Sequence, residues 1–340
     1  MVLPLDPEAR VGTIVAGRYR LERLLGAGGM GEVYVAVQQP LGRQVALKLM
    51  RAGLSGPAAQ RFEREAKALA ATLHPNIVTL FDYGVTGDGD DVGMIGGEVS
   101  PPAPQDVRSS TKPQSRFSLP PQLFMAMELV RGRTLREHLA DHGRLTPAEA
   151  LPILVDICRA LDVAHGAGIV HRDLKPENVM LAETGRSITC KVLDFGIARL
   201  NGSGDDDNQR LTKTGHLVGT PGYMAPETVL EGVFDDPRSD LYAVGVIAWE
   251  LLTNHSLFSA PTPIALVMKH ALDPPPTLTA TLRLSTPPHP ALEQLLATLL
   301  HKDRHQRYAS AADVIAAIEA LPAAARLPIA AVSSPFDDIA

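Results

Sequence analysis

Aromatic residues make up only 4% of this 340-residue chain, so aliphatic side chains and alanine must fill its interior. Cysteine is nearly absent. Cys158 and Cys190 alone can form neither a disulfide scaffold nor a zinc cage, and they are expected to be two buried thiols in a reducing compartment. There is no basic excess: the net charge of -6 argues against a general nucleic-acid binder and favours solubility. No apolar run is long enough to cross a bilayer. The most apolar helix candidate, 241–252, is flanked by Asp240 and Thr253. The opening MVLPLDPEAR lacks the basic start and apolar core of a secretory signal. A cytoplasmic protein with no membrane anchor of its own is therefore expected.

The length allows one large domain or two lobes with separate cores. Residues 1–16 read as a loose leader. From Tyr19 to Lys48 the runs YRLERLL, EVYVAVQ and QVALKLM read as strands joined by turns at 26–31 and 40–42, an antiparallel meander. The segment 61–73 is expected to be a helix with Phe62, Ala66, Leu69 and Leu73 on one face. A strand over 76–83 follows. The stretch 84–122, rich in Gly, Pro, Ser and Asp, reads as a disordered insertion. A buried strand is expected over 123–130. Beyond it the pattern is mostly helical, over 134–142, 147–166, 241–252, 291–301 and 310–321. Thr146, Pro147 and Glu149 open the second of these, and Ser310 with Asp313 opens the last. Residues 322–340 read as a tail. The expected class is α+β.

The chemistry concentrates in the run HRDLKPEN, His171 to Asn178, followed by Asp194-Phe195-Gly196. One Asp, one Lys and one Asn in a short loop, then a second Asp beside a Gly, form a kit for Mg²⁺ and a triphosphate. Asp173 suits a base or orienter of a hydroxyl, and Lys175 can neutralise a transferring phosphoryl group. Asn178 and Asp194 offer hard oxygen ligands, which suit Mg²⁺. Upstream, Gly26, Gly28 and Gly31 have the G-x-G-x-x-G spacing. That spacing alone also fits dinucleotide-binding folds, but here the loop runs into a strand, not a helix, and no acidic residue stands about twenty positions on. Lys48 ends an apolar strand and needs a paired charge. Glu65 is preferred over Glu63 as its partner because it shares the inward face of Leu69. Thr220, in the run GTPGYMAPE, can bond Asp173 and Lys175. Glu227 at the end of that run needs a buried cation, and Arg307 is the expected partner.

Together these motifs closely resemble the eukaryotic-like (Hanks-type) bacterial serine/threonine protein kinases over about 17–321. The resemblance implies a bilobal fold: a small antiparallel-sheet lobe over about 17–130 with one main helix, and a larger, mainly helical lobe over about 131–321. ATP would lie between them with Mg²⁺, or alternatively Mn²⁺. The resemblance assigns nucleotide contacts to Leu25, Gly26, Gly28, Gly31, Val33, Ala46, Lys48, Met127, Glu128, Val130 and Met180. It assigns catalysis to Asp173, Lys175, Lys48, Glu65 and Thr220, and the metal to Asn178 and Asp194. Leu69, Leu80, His171 and Phe195 would form a packed column anchored by Asp240. Lys175 and Thr220 resemble the serine/threonine branch.

The implied activity is transfer of the ATP γ-phosphate to Ser/Thr hydroxyls of protein substrates in bacterial signalling, with autophosphorylation of the activation segment, where a homodimer could act in trans. Thr212 and Thr214 are the expected regulatory sites. Arg172, which would otherwise lack a partner, would take their phosphate. The insertion departs from the family pattern, in which a short turn joins the flanking strands. Loop-closure cost grows slowly with length, so the lobe can tolerate it.

Overall fold

Alternation of apolar side chains builds the first of two units, Met1–Ala71 with Thr79–Leu129. The computed structural model describes residues 6–28, 31–50, 57–86, 122–184, 187–195, 220–284 and 287–329. In this unit β1 (Ile14–Val15), β2 (Tyr19–Gly28), β3 (Gly31–Gln38), β4 (Arg43–Met50), β5 (Leu80–Val85) and β6 (Leu123–Glu128) form one antiparallel sheet of order β1-β2-β3-β4-β6-β5. Tyr34 and Ala36 of β3, Val45, Leu47 and Leu49 of β4, and Phe124 and Ala126 of β6 fill one core face with Tyr19 and Leu21. The period of two sends the intervening residues to the opposite face. Register then places Val33 across from Lys48, Val35 across from Ala46, and Ala46 across from Met127. The lysine therefore stands in a row of apolar neighbours.

Gly31 is required by its surroundings. It has φ +149°, and a Cβ there would meet the Leu49 carbonyl oxygen at 2.1 Å. The helix α1 (Pro57–Ala70) packs on β5, with Phe62 edge-on to Tyr83 at 6.4 Å. It starts and stops earlier than the expected 61–73. Leu73 lies beyond its end and is 76% exposed, so it does not share the inward face. The folded part also begins before residue 17. Pro7–Arg10 form a 3-10 turn capped by the Asp6 carboxylate, and β1 pairs with β2. The buried Tyr34 hydroxyl, 2.8 Å from both the Pro7 carbonyl and the Glu32 carboxylate, holds that turn against β3.

The second unit is Thr72–Val78 with Val130–Ala340. A small antiparallel sheet of β7 (Gly132–Thr134), β8 (Val179–Thr184) and β9 (Ser187–Val192) takes the order β7-β8-β9. Residues 76–78 lie along β9: Val192 N–H donates to the Asn76 carbonyl at 2.8 Å, and Val78 N–H to the Val192 carbonyl at 3.0 Å. The helices are α2 (Leu135–His142), α3 (Pro147–Gly166), α4 (Pro226–Leu230), α5 (Pro237–Thr253), α6 (Pro263–Leu272), α7 (Leu278–Thr281), α8 (Pro290–Leu299) and α9 (Ala311–Glu319). Reciprocal capping boxes open α2 (Thr134, Glu137), α3 (Thr146, Glu149) and α9 (Ser310, Asp313). Every residue of α5 from Asp240 to Thr253 is buried, as its apolar circumference requires. Around it α3 packs on α5, α9 and β9, and α8 packs on α5. Cys158 and Cys190 are free buried thiols whose pKa is pushed up by burial.

The ordered chain runs past 322: Ala323–Arg326 form a 3-10 turn, Ala325 is buried, and Arg144 donates to the Ile329 carbonyl at 3.1 Å. Most of the insertion, 87–121, lies outside the described residues, as do 330–340.

Close approach of α5 and α8 depends on Gly245, where a Cβ would meet Leu299 Cβ at 2.9 Å and Leu300 Cδ2 at 3.0 Å. Gly245→Val is expected to lower unfolding stability by about 2–3 kcal/mol through overpacking, read as a fall in the urea midpoint at unchanged slope.

Candidate active site

The site in the second unit is assembled on the first turn of α5. Asp240 stands there, 2% exposed, where the orphan N–H groups of a helix start favour negative charge. Its Oδ2 accepts the His171 backbone N–H at 2.8 Å, and its Oδ1 accepts that of Arg172 at 2.9 Å. His165 Nε2 lies 2.8 Å from Oδ2. Burial alone would raise the Asp240 carboxyl, but the bond and charge of His165, with His171, outweigh it and hold the group below the usual carboxylate range.

These bonds force a sharp turn. Arg172 has φ +63°, a region that side chains other than glycine rarely adopt. Burial lowers the pKa of the fully buried His171, and its Nε2 lies 2.8 Å from the Leu193 carbonyl. Its ring packs on Phe195 at 4.9 Å. Asp194, between those two contacts, also has positive φ, +52°. One histidine thus ties the 171–178 loop to the Asp194 turn.

Within the loop three side chains close a triangle. Lys175 Nζ donates to Asp173 Oδ2 at 3.0 Å and to Thr220 Oγ1 at 2.9 Å, and Thr220 Oγ1 donates to Asp173 Oδ1 at 2.9 Å. The sequence reading brings these three together, and so does the structure. A shallow hollow beside Asp173 is lined by Thr220, Tyr223 and Met224 among others. Asn178 Nδ2 donates to the Asp173 carbonyl at 2.8 Å, leaving its amide oxygen for a ligand. Leu193 N–H donates to the Asn178 carbonyl at 2.8 Å, which sets Asn178 beside the Asp194 turn. Among the described residues no three His, Cys, Asp or Glu side chains form a metal cage. Asn178 and Asp194 fit a Mg²⁺ that takes its other oxygens from phosphate and water, the usual habit of that ion.

The first unit carries the other candidates. Lys48 and Glu65 are 5% and 9% exposed, whereas Glu63 is half-buried. Leu25, Gly26 and Gly28 lie on the β2 side of the hairpin, with Gly26 across from Val33 and Gly28 across from Gly31. A Cβ at Gly26 or Gly28 would meet nothing within 4 Å, so bare backbone there faces open space that a phosphate could enter. Val33, Ala46 and Met127 share the Lys48 face. Glu128 N–H already donates to the Thr79 carbonyl at 2.9 Å, so a ligand there must use its carbonyl. Leu69 and Leu80 are buried in this unit. Val130 and Met180, half-buried, belong to the second unit.

Glu227, in the first turn of α4, finds the expected cation. Arg307 Nη1 and Nη2 each lie 2.7 Å from a Glu227 oxygen, and both side chains are at most 2% exposed. All five guanidinium protons are used: Nε donates to the His301 carbonyl, Nη1 also to that of Arg238, and Nη2 also to that of Lys302. Ser239 Oγ donates to Glu227 at 2.7 Å. Burial pushes the Glu227 carboxyl up, but Arg307 and Ser239 bring it below the usual range.

Two features escape a reading of the sequence. Tyr223 donates to Glu250 at 2.8 Å, and Arg136 bonds Tyr223, Glu250 and Glu177, so α2, the Thr220–Glu227 run and α5 share one polar cluster. No spacing rule relates these residues. Second, Arg172 does not wait for a partner: Nη2 lies 2.6 Å from Asp235 Oδ1. This corrects the expectation that Arg172 would otherwise be unpaired. Gly196, Thr212, Thr214 and Gly219 lie outside the described residues.

A model of the protein kinase domain matches residues 19–317. The serine/threonine-protein kinase pkn3 of Myxococcus xanthus is 37% identical over 319 residues, 93% of this chain and 52% of that one. PknA of Mycobacterium tuberculosis (strain ATCC 25618 / H37Rv) is 36% identical over 316 residues, 92% of this chain and 63% of its own. The chain thus spans between half and two thirds of the length of these relatives. The crystal structure of the Mycobacterium tuberculosis PknI kinase domain superposes with a TM-score of 0.62 at 26% identity, covering 91% of this chain and 97% of that one.

Arg307→Met leaves Glu227 buried without its cation and is expected to cost about 3–5 kcal/mol in urea unfolding at pH 7. The Glu227 pKa is lower folded than unfolded. Its stabilisation is therefore complete above the ordinary carboxyl value and is lost as pH falls through the folded one. Arg307→Met should accordingly lose less further stability than the parent between pH 5 and 3.

Proposed function

Because the chain belongs to the protein kinase domain family, we propose that it transfers the γ-phosphate of Mg-ATP to serine or threonine hydroxyls of proteins. The observation that carries this reading is the closed triangle of Asp173, Lys175 and Thr220. Asp173 accepts the hydroxyl proton of the substrate as its oxygen bonds to the γ-phosphorus and the bond to the β-phosphate oxygen breaks. Thr220 and Lys175 hold the two carboxylate oxygens, so Asp173 presents one orientation instead of rotating. The Lys175 charge lies where negative charge on the transferring group develops. Asn178 and Asp194 supply oxygens to the metal. Bound Mg²⁺, or alternatively Mn²⁺, would neutralise charge on the phosphate oxygens. Lys48, kept buried with Glu65 in the same unit, binds phosphate oxygens, and the backbone of the Gly26–Gly31 hairpin closes over them. Leu25, Val33, Ala46, Met127 and Glu128 of the first unit make adenine contacts.

Among the described residues no helix is long and apolar enough to cross a membrane. We place the reaction in the cytoplasm, in bacterial signalling, with Thr212 and Thr214 as autophosphorylation sites reached in trans by a second copy.

Incubation with Mg-ATP and a generic basic protein should give phosphoserine or phosphothreonine. Asp173→Asn should lower kcat by about 10²–10⁴-fold. No transfer by the parent, or equal rates in the two, would contradict the reading. Thr220→Val, which removes two hydrogen bonds to charged groups, should lower kcat by about ten- to a hundredfold with the KM for ATP unchanged.

A further inference from the structure

Three stretches far apart in the chain meet at one guanidinium in the first unit. Arg10 ends the Pro7–Arg10 turn, and its side chain is 11% exposed. Nη1 lies 3.3 Å from the Glu32 carboxylate, 15% exposed, and donates to Gln122 Oε1 at 2.9 Å. The Tyr34 hydroxyl reaches the same Glu32 oxygen at 2.8 Å. Gln122 stands at the base of the insertion. Its N–H donates to Thr86 Oγ1 at 2.9 Å, and the Thr86 N–H donates to the Gln122 carbonyl at 2.7 Å. The N-terminal turn, the start of β3 and the stem of the insertion are thereby tied together.

Glu32 follows Gly31 and lies across from Ala27 and Leu49 in the sheet. The period of two puts it on the Tyr34 face, whereas Val33 stands across from Lys48 on the other. Arg10 therefore acts through Glu32, from the side of the sheet away from Lys48. A carboxylate this far from water needs a cation beside it, and losing one partner of such a pair leaves an uncompensated charge. Without Arg10 that negative charge would stand one residue from Gly31, at the hairpin that receives phosphate oxygens. Like charges repel strongly where protein and not water lies between them. The arrangement has a cost, because Arg10 Nε is buried with no hydrogen-bond partner. An apolar side chain would fill the place without it, so packing of the turn does not account for an arginine.

We propose that Arg10 is a positioning residue for nucleotide binding: by neutralising Glu32 and linking it to Gln122, the N-terminal turn keeps the end of the β2–β3 hairpin receptive to a triphosphate. The consequence for the nucleotide rests on the proposed kinase activity, whereas the pairing with Glu32 does not.

The full chain is compared with Arg10→Lys, Arg10→Met, Glu32→Gln and Arg10→Met/Glu32→Gln. Arg10→Met should raise the KM for ATP about five- to tenfold with kcat unchanged within about twofold, and Arg10→Lys should keep the KM within about twofold of the parent. Arg10→Met/Glu32→Gln should bring the KM back to within about twofold of the parent, which a loss of packing at the turn could not do. Without nucleotide, Arg10→Met should lower the Tm by about 2 °C, and adding Glu32→Gln should recover at least about half of that fall. A parent-like KM in Arg10→Met, or a double variant no better than Arg10→Met, overturns the positioning role. Tm losses of the two single variants that simply add in the double variant overturn the pairing. If the parent transfers no phosphate, the kinase reading fails on its own, and the Tm values still decide the pairing.

Discussion

A single buried carboxylate organises the second unit. Asp240 sits at the start of the buried helix α5 and accepts two successive backbone N–H groups, those of His171 and Arg172. Neither amide could take part in a sheet or helix ladder in this conformation, and buried N–H groups left unpaired are costly. The carboxylate thus permits the left-handed turn at Arg172. That turn in turn delivers Asp173 to Thr220 and Lys175, and His171 to the Leu193 carbonyl. Strain at Arg172 is sustained because Asp240, on the buried helix α5, holds its amide and that of His171.

The Glu227–Arg307 pair plays the complementary part for the run that carries Thr220. Two buried charges are normally a poor source of stability, because desolvation offsets their attraction. Here the balance is different, since every guanidinium proton has an acceptor and Glu227 has Ser239 in addition. Backbone carbonyls of residues 238, 301 and 302 converge on Arg307, so the pair fixes the C-terminal part of the chain against the start of α5. Position in Thr220 therefore derives from residues almost ninety places downstream. The cluster of Arg136, Tyr223 and Glu250 adds a third tie between the same run and α5.

Local chemistry was legible in the sequence where it is written in contiguous residues. HRDLKPEN and GTPGYMAPE specify the Asp173–Lys175–Thr220 triangle, and a buried Glu227 demands a cation that Arg307 supplies. Helices with strong start signals were also legible: α3 spans the expected residues, and Ser310 with Asp313 forms the expected box. What was not legible depends on contacts between distant residues. The hairpin of β8 and β9 has strands of six residues, too short for periodicity to separate from the flanking motifs. The 3-10 turn at Pro7 is ordered by a hydroxyl on Tyr34, and the tail by Arg144 and Arg326. Leu73 fitted the helical period, yet the helix stops at Ala70 and leaves it in solvent. Asp235 carries no motif and becomes visible only through its 2.6 Å contact with Arg172.

The account stands on Asp240 holding two loop amides, and amide hydrogen exchange at His171 and Arg172 tests it most directly. In the parent both amides should exchange as slowly as those of the α5 core, since they are released only by opening that core. In Asp240→Ala they should exchange faster by several orders of magnitude while the α3 amides stay protected. Fast exchange of both amides in the parent, at the rate of exposed loops, would contradict the account.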